Sequence, residues 1–348
     1  MNILFIIPGD INLPTGGYRY DRAIIEEWRR MNLSVELLSL EGNFPGISEH
    51  EKQDTLQQIR DIPNYDIAVV DGLAGGAHPE MLRLLSKKIP AVALIHHPLC
   101  MENGLDQDTI SALHSSEAEG LQHVSGIITT SPETSKTVIS LFGISESSVH
   151  HVLPGVNRSV TSTPSDAGPA NLLCVGSVIE RKGHLVLIEA LASLAHLDWH
   201  LHCIGKTDFQ PDLFAKITNL IEEEKLDDRI TFYGAVDEEE LEKAYSTAHV
   251  FVLPSLFEGY GMAYAEAIVR GLPVIGTRAG AIPDTVPERC GILVEPGDVG
   301  KLAEALQTMI SEPGKRRSVR SACLSEAGRF PTWRDSASKF ASILGEIK

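Results

Sequence analysis

The stretch VFVLPSLFEGYGMAYAEAIVRGLPVIG, residues 250–276, reads as strand, glycine turn, helix and strand again. Val250–Ser255 is a short run of mostly apolar residues. It lacks the polar alternation of a half-exposed strand and so suits a parallel strand covered on both faces. A turn holding Gly259 and Gly261 follows, a helix opens near Gly261, and Pro273–Gly276 starts the next strand. Units of this kind build doubly wound α/β sheets, whose ligands sit at the carboxyl ends of the strands.

The same rhythm runs through the chain. Upstream, strand candidates are Asn2–Pro8, Val35–Leu40, Ile67–Gly72, Ala91–His97, Gly126–Ser131 and His151–Leu153. A helical pattern covers Tyr18–Met31, and Ser48 with Glu51 makes the capping-box pattern of another helix start. The rhythm then restarts at Asn171–Gly176, Trp199–Gly205 and Ile230–Gly234, and runs on past the opening stretch to Gly291–Val294. Between the halves, Arg158–Ala170 is rich in Ser, Thr, Pro and Gly and reads as a linker. The expected fold is therefore α/β, with two Rossmann-like doubly wound domains facing a central cleft, residues 1–155 and 156–330. Pro331–Lys348 follows as a separate amphipathic helix that periodicity alone does not place. The cleft is the default ligand site.

A chain of 348 residues has room for two such cores. Its formal charge of −17 divides into −10 for residues 1–155 and −7 for the rest, so neither half suits nucleic acid or anionic lipid. The best basic helix, Arg22 to Met31, mixes Arg22, Arg29 and Arg30 with Glu26 and Glu27, so strong membrane binding is not expected. No apolar run is long enough to span a bilayer, and Met1–Pro8 reads as a first strand rather than a secretion signal. Five scattered cysteines without a CxxC read as reduced thiols, and the expected location is cytoplasmic.

Chemistry-bearing residues fall at strand ends. After Val250–Ser255, free amides at the helix start near Gly261 suit a diphosphate, and the two glycines allow close backbone approach. Glu258 in the turn and Glu266 in the helix can accept hydrogen bonds from sugar and ribose hydroxyls. Arg181-Lys182-Gly183, in the turn after the first strand of the second half, offers adjacent cations for a leaving diphosphate. Gly16-Gly17 lies in the first strand–helix turn but lacks the spacing of the dinucleotide fingerprint. His96 and His97 end a strand, where an imidazole can meet a sugar hydroxyl or bond to backbone. His200 and His202 alternate along one strand without a third ligand at metal spacing, so no metal site is expected.

Together these features resemble the retaining GT-B-fold glycosyltransferases of the E-x7-E type, known as glycosyltransferase family 4-like or glycosyl transferases group 1. Glu258 to Glu266 matches the motif, flanked by Pro254-Ser255 and Gly271-Leu272-Pro273-Val274-Ile275. Pro154–Asn157 resembles the family's domain junction, Gly291–Val294 with Pro296-Gly297-Asp298 its late strand and helix start, and Phe330–Leu344 its terminal helix crossing back to the first domain. The likeness is densest over residues 171–300. One departure is Ser177, where the family usually has Arg after the glycine that is here Gly176.

The resemblance implies an enzyme moving a hexose from a UDP- or GDP-linked sugar with retention of configuration, without a cofactor or catalytic metal. It implies catalytic roles for His96 (or His97), Glu258, Arg181 and Lys182. Glu266 would bind the ribose, and Gly259, Tyr260, Gly261, Met262, Ser177 and Gly205 would complete the donor set. Gly16 and Gly17 would form the acceptor-side phosphate loop. A soluble sugar or small metabolite is the expected acceptor. A GT-B nucleotide-sugar epimerase, a phosphorylase or a non-catalytic sugar-nucleotide-binding protein are the alternatives.

Overall fold

A computed structural model describes residues 1–102, 104–157, 164 and 168–348. It divides into two compact units, Met1–Gly155 with Pro331–Lys348, and Val156–Phe330. Most of the Arg158–Ala170 linker reading lies outside the described residues.

The first unit holds a six-stranded sheet in the order β2-β1-β3-β4-β5-β6. Its strands are β1 (Asn2–Pro8), β2 (Ser34–Leu40), β3 (Ile67–Asp71), β4 (Ala91–Ile95), β5 (Gly126–Thr129) and β6 (Val149–His151). Every neighbouring pair is parallel. β3 and β4 are buried along their whole length, as their uninterrupted apolar runs require, whereas the edge strand β2 alternates toward solvent. The last strand falls two residues earlier than the expected His151–Leu153. It pairs through Val149↔Ile127, and Pro154, which has no N–H to give a ladder, follows closely.

The terminal Trp333–Ile347 helix packs on this unit. Thr332 and Asp335 close a capping box at its start. Trp28 Nε1 donates to the Ala337 carbonyl at 2.9 Å, and the Trp28 and Phe340 rings meet edge to face at 4.9 Å. A Cβ on Gly155 would fall 2.3 Å from the Trp333 amide nitrogen, so only glycine allows the helix to seat there.

The second unit repeats the plan with β7 (Ala170–Val175), β8 (Trp199–Ile204), β9 (Ile230–Phe232), β10 (Val250–Val252), β11 (Val274–Thr277) and β12 (Gly291–Val294). Their order is β12-β11-β10-β7-β8-β9, again all parallel. In each sheet the strand order reverses once, between β1 and β3 and between β7 and β10. Those reversals are where open α/β sheets leave a crevice for ligand at the strand ends. Among the described residues, no helix is long and apolar enough to cross a membrane.

Candidate functional site

At the reversal in the second unit, the chain leaves β7 through Gly176-Ser177 and makes one 3₁₀ turn, Glu180–Lys182. Gly183 ends that turn with φ 69°, and a Cβ there would fall 2.2 Å from the Pro254 carbonyl oxygen. The left-handed backbone and this close approach both demand glycine. Leu256 N–H then donates to the Arg181 carbonyl at 2.7 Å, which fixes the two cations against the loop after β10.

Glu258 is the centre of that contact. Its side chain is 9% exposed. Lys182 Nζ lies 2.6 Å from Oε1, and the Ser255 hydroxyl donates to the same oxygen at 2.6 Å. Arg181 Nη1 donates to the Phe257 carbonyl at 2.9 Å and stands 3.5 Å from Glu258 Oε2. Burial pushes the Glu258 pKa up, but the Lys182 and Arg181 charges outweigh it and hold the carboxyl below its ordinary value. A depressed folded value adds stability above the ordinary pKa, and that stability disappears as pH falls through the folded value. The melting-temperature gap between the unmutated chain and Glu258→Gln is therefore expected to be full at neutral pH and to close below about pH 4.5. A gap that stays constant through acid titration by scanning calorimetry would remove Glu258 from this account.

The glycine turn is held from both sides. Gly261, φ 87°, precedes the Met262–Val269 helix, and no side chain caps its first turn. Ala281 N–H donates to the Glu258 carbonyl at 2.9 Å, and the Thr285 hydroxyl to that of Tyr260 at 2.6 Å. Gly205, φ 148°, closes on the Gly176-Ser177 turn, where a Cβ would meet the Gly176 carbonyl oxygen at 2.2 Å. Glu266 lies one turn into the helix and is 3% exposed. The Tyr245 hydroxyl donates to its Oε2 at 3.1 Å. Arg270 donates to the Glu266 carbonyl at 2.9 Å, lies 4.6 Å from the Tyr245 ring centroid and pairs with Glu242.

In the first unit the Gly16–Arg30 helix is capped by Thr15, whose hydroxyl accepts from Tyr18 N–H. Gly17 faces the His96 ring, 3.1 Å from where its Cβ would stand to the ring Cδ2. His96 Nε2 lies 3.0 Å from Asp21 Oδ1 and 3.5 Å from Asp71 Oδ2. These three donor atoms lie within 4.8 Å of one another, close enough also for a cation. His97 stands 3.9 Å from the Glu102 carboxylate.

Residues 169–312 match the family model described as glycosyl transferases group 1. The match covers most of the second unit and none of the first. The chain is 23% identical to an MMP alpha-(1->4)-mannosyltransferase of Mycolicibacterium hassiacum, over 76% of this chain and 67% of that protein. A sulfoquinovosyl transferase SQD2 of Arabidopsis thaliana is 37% identical over 31% of this chain and 22% of its own length. Among solved structures, sucrose-phosphate synthase from Thermosynechococcus elongatus superposes with a TM-score of 0.85 at 21% identity, covering 99% of this chain and 98% of that one. Anabaena Alr3699/HepE in complex with UDP and glucose superposes with a TM-score of 0.79 at 17% identity, covering 99% of each. The fold is thus GT-B.

Of the residues singled out in the sequence, the structure joins Arg181, Lys182 and Glu258 directly, and places Gly259, Tyr260, Gly261 and Met262 on the same turn. Ser177 and Gly205 meet in adjacent turns, while Gly16, Gly17 and His96 gather in the first unit. Four partners escaped the sequence. Ser255 and Tyr245 hold the two glutamates, and Asp21 and Asp71 hold the histidine. Asp71 carried a signal, since it ends a fully apolar strand where a charge needs a partner. Asp21, inside an amphipathic helix pattern, looked like any polar-face residue.

Proposed function

We propose that this chain is a group 1 glycosyltransferase that transfers a hexosyl group from a UDP- or GDP-linked sugar to a soluble sugar or small metabolite, with retention and without a catalytic metal. The observation that carries the reading is the Lys182–Glu258 contact of 2.6 Å beside an uncapped helix start. Fixed cations and helix amides can receive the charge that develops on a leaving diphosphate. Lys182 would meet that charge with Arg181 behind it, Glu258 and the Gly259–Met262 backbone would hold the sugar, and Glu266 would take the ribose. In the first unit, His96 would contact a sugar hydroxyl, and Gly16-Gly17 would leave room for the acceptor. Neighbours whose structures contain UDP and glucose support a nucleotide-sugar donor.

Thermal shift against UDP-glucose, UDP-N-acetylglucosamine and GDP-mannose tests the donor, because a ligand that binds only the folded chain raises its melting temperature. One donor is expected to stabilise and to be turned over with an acceptor panel. No shift with any donor, or turnover of the donor alone without transfer, would favour a binding protein or an epimerase instead. Transfer is also expected to survive EDTA. Complete loss on chelation, restored by magnesium or manganese, would end the metal-free reading.

A further inference from the structure

The first unit buries two carboxylates against one imidazole. Asp21 is fully buried in the Gly16–Arg30 helix, and Asp71 is 4% exposed at the end of β3. His96 follows β4, which pairs with β3 through Asp71↔Leu94, so the three groups converge at the strand reversal. Asp71 Oδ1 accepts from Leu73 N–H at 2.8 Å, leaving Oδ2 on the histidine. Asp21 Oδ1 takes the shorter contact to His96, while its buried Oδ2 has no hydrogen-bond partner. Gly17 and Tyr20, whose ring stands edge-on at 5.3 Å, confine the imidazole on other sides.

We propose that Asp21 and Asp71 are positioning residues that keep a proton on His96 Nε2 and thereby fix which ring nitrogen is offered to a sugar hydroxyl. The proposal rests on the reading of His96 as a sugar contact. Two buried carboxylates this close cannot both stay ionised without a compensating positive charge. Among the described residues, the charges acting on Asp71 are those of Asp21 and His96, and those acting on His96 are the two carboxylates. Tyr18 donates to the Pro8 carbonyl and Tyr20 to that of Val152, and Asp10, acting on Tyr18, adds negative charge. Arg22, on the same helix, donates to the carbonyls of Ile11 and Leu13. The compensating charge is therefore the imidazolium. Burial disfavours it, but Asp21 and then Asp71 raise the His96 pKa above its ordinary value. Burial and the neighbouring Asp21 push Asp71 up to about 7. Asp71 therefore exchanges its proton around neutrality, while the two carboxylates favour the charged form of His96. Above its own pKa, His96 loses the proton from the nitrogen that Asp21 does not hold, and that nitrogen changes from donor to acceptor.

Imidazole NMR of the full chain across pH tests this without substrate, with His96→Ala assigning the signal. His96 is expected to titrate above 6.5, with Nε2 keeping its proton after titration. Asp21→Asn is expected to bring the titration down by about one unit or more. It should also move the alkaline limb of nucleoside diphosphate release to lower pH, measured with whichever of UDP-glucose, UDP-N-acetylglucosamine and GDP-mannose gives the largest thermal shift. Asp71→Asn should produce a smaller displacement in the same direction. A wild-type His96 that titrates at or below 6.5 would overturn the proposal even if the variants fail to fold. So would an Asp21→Asn chain with an unmoved titration, or a His96 signal that stays untitrated until EDTA frees it from a cation. Full activity in His96→Ala, with the NMR result as expected, would instead sink the sugar-contact reading alone.

Discussion

Lys182→Ala is expected to lower kcat by about a hundredfold or more, the usual loss when one fixed electrostatic contact to developing charge is removed. The donor's KM should move much less if the ammonium acts mainly on the leaving diphosphate in the transition state. Stability will also respond, because Lys182 pairs with a carboxylate that is almost wholly buried. Breaking a buried pair on one side typically costs about 3–5 kcal/mol. The loss here should be smaller, since Ser255 and Arg181 remain on Glu258 and the Lys182 side chain is itself 18% exposed. Single-turnover kinetics at saturating donor, beside a melting curve, separate the two effects. A Lys182→Ala chain that folds and turns over within a few-fold of normal would shift the electrostatic role to Arg181 and the helix amides.

The parallel strands were legible because burial on both faces leaves a plain mark, an unbroken apolar run closed by glycine or proline. β1 and β12 have the ends their composition suggests, and most other strands differ from their reading by a residue or two at the carboxyl end. β10 is shorter still, ending at Val252 although the apolar run extends to Pro254. Proline lacks a ladder donor, and residues 253–255 instead serve the site: Leu253 and Ser255 accept from Tyr264 and Thr277, and the Pro254 carbonyl seats Gly183. Glu258 and Lys182 could be marked as chemistry-bearing because each lies at a strand end. Their direct pairing could not, since it depends on Gly183 approaching Pro254 across 71 positions of sequence. The same holds for His96. Its strand-end position was visible, whereas its carboxylate partners come from separate elements, 25 and 75 residues away.

Glu266→Ala is expected to weaken donor binding by about ten- to a hundredfold, the range of a lost hydrogen bond to a charged group. The loss should appear in KM, and in the donor's thermal shift, more than in kcat, because ribose contacts exist before the reaction as well as during it. The structure adds a second variant that sharpens the test. Tyr245 donates to Glu266 Oε2 from the Glu238–Thr247 helix, and Arg270 braces the same side chain and helix. Tyr245→Phe keeps the ring on Arg270 but removes the hydroxyl that orients the carboxylate. It should raise the donor KM by a smaller factor in the same direction, and combining it with Glu266→Ala should add little, since the two changes act through one contact. A nucleoside diphosphate without the sugar should lose affinity in both variants to the same extent as the full donor, because the ribose is common to both ligands. If instead the variants weaken only the sugar-bearing donor, Glu266 reads the hexose rather than the ribose, and the roles of the two glutamates must be exchanged.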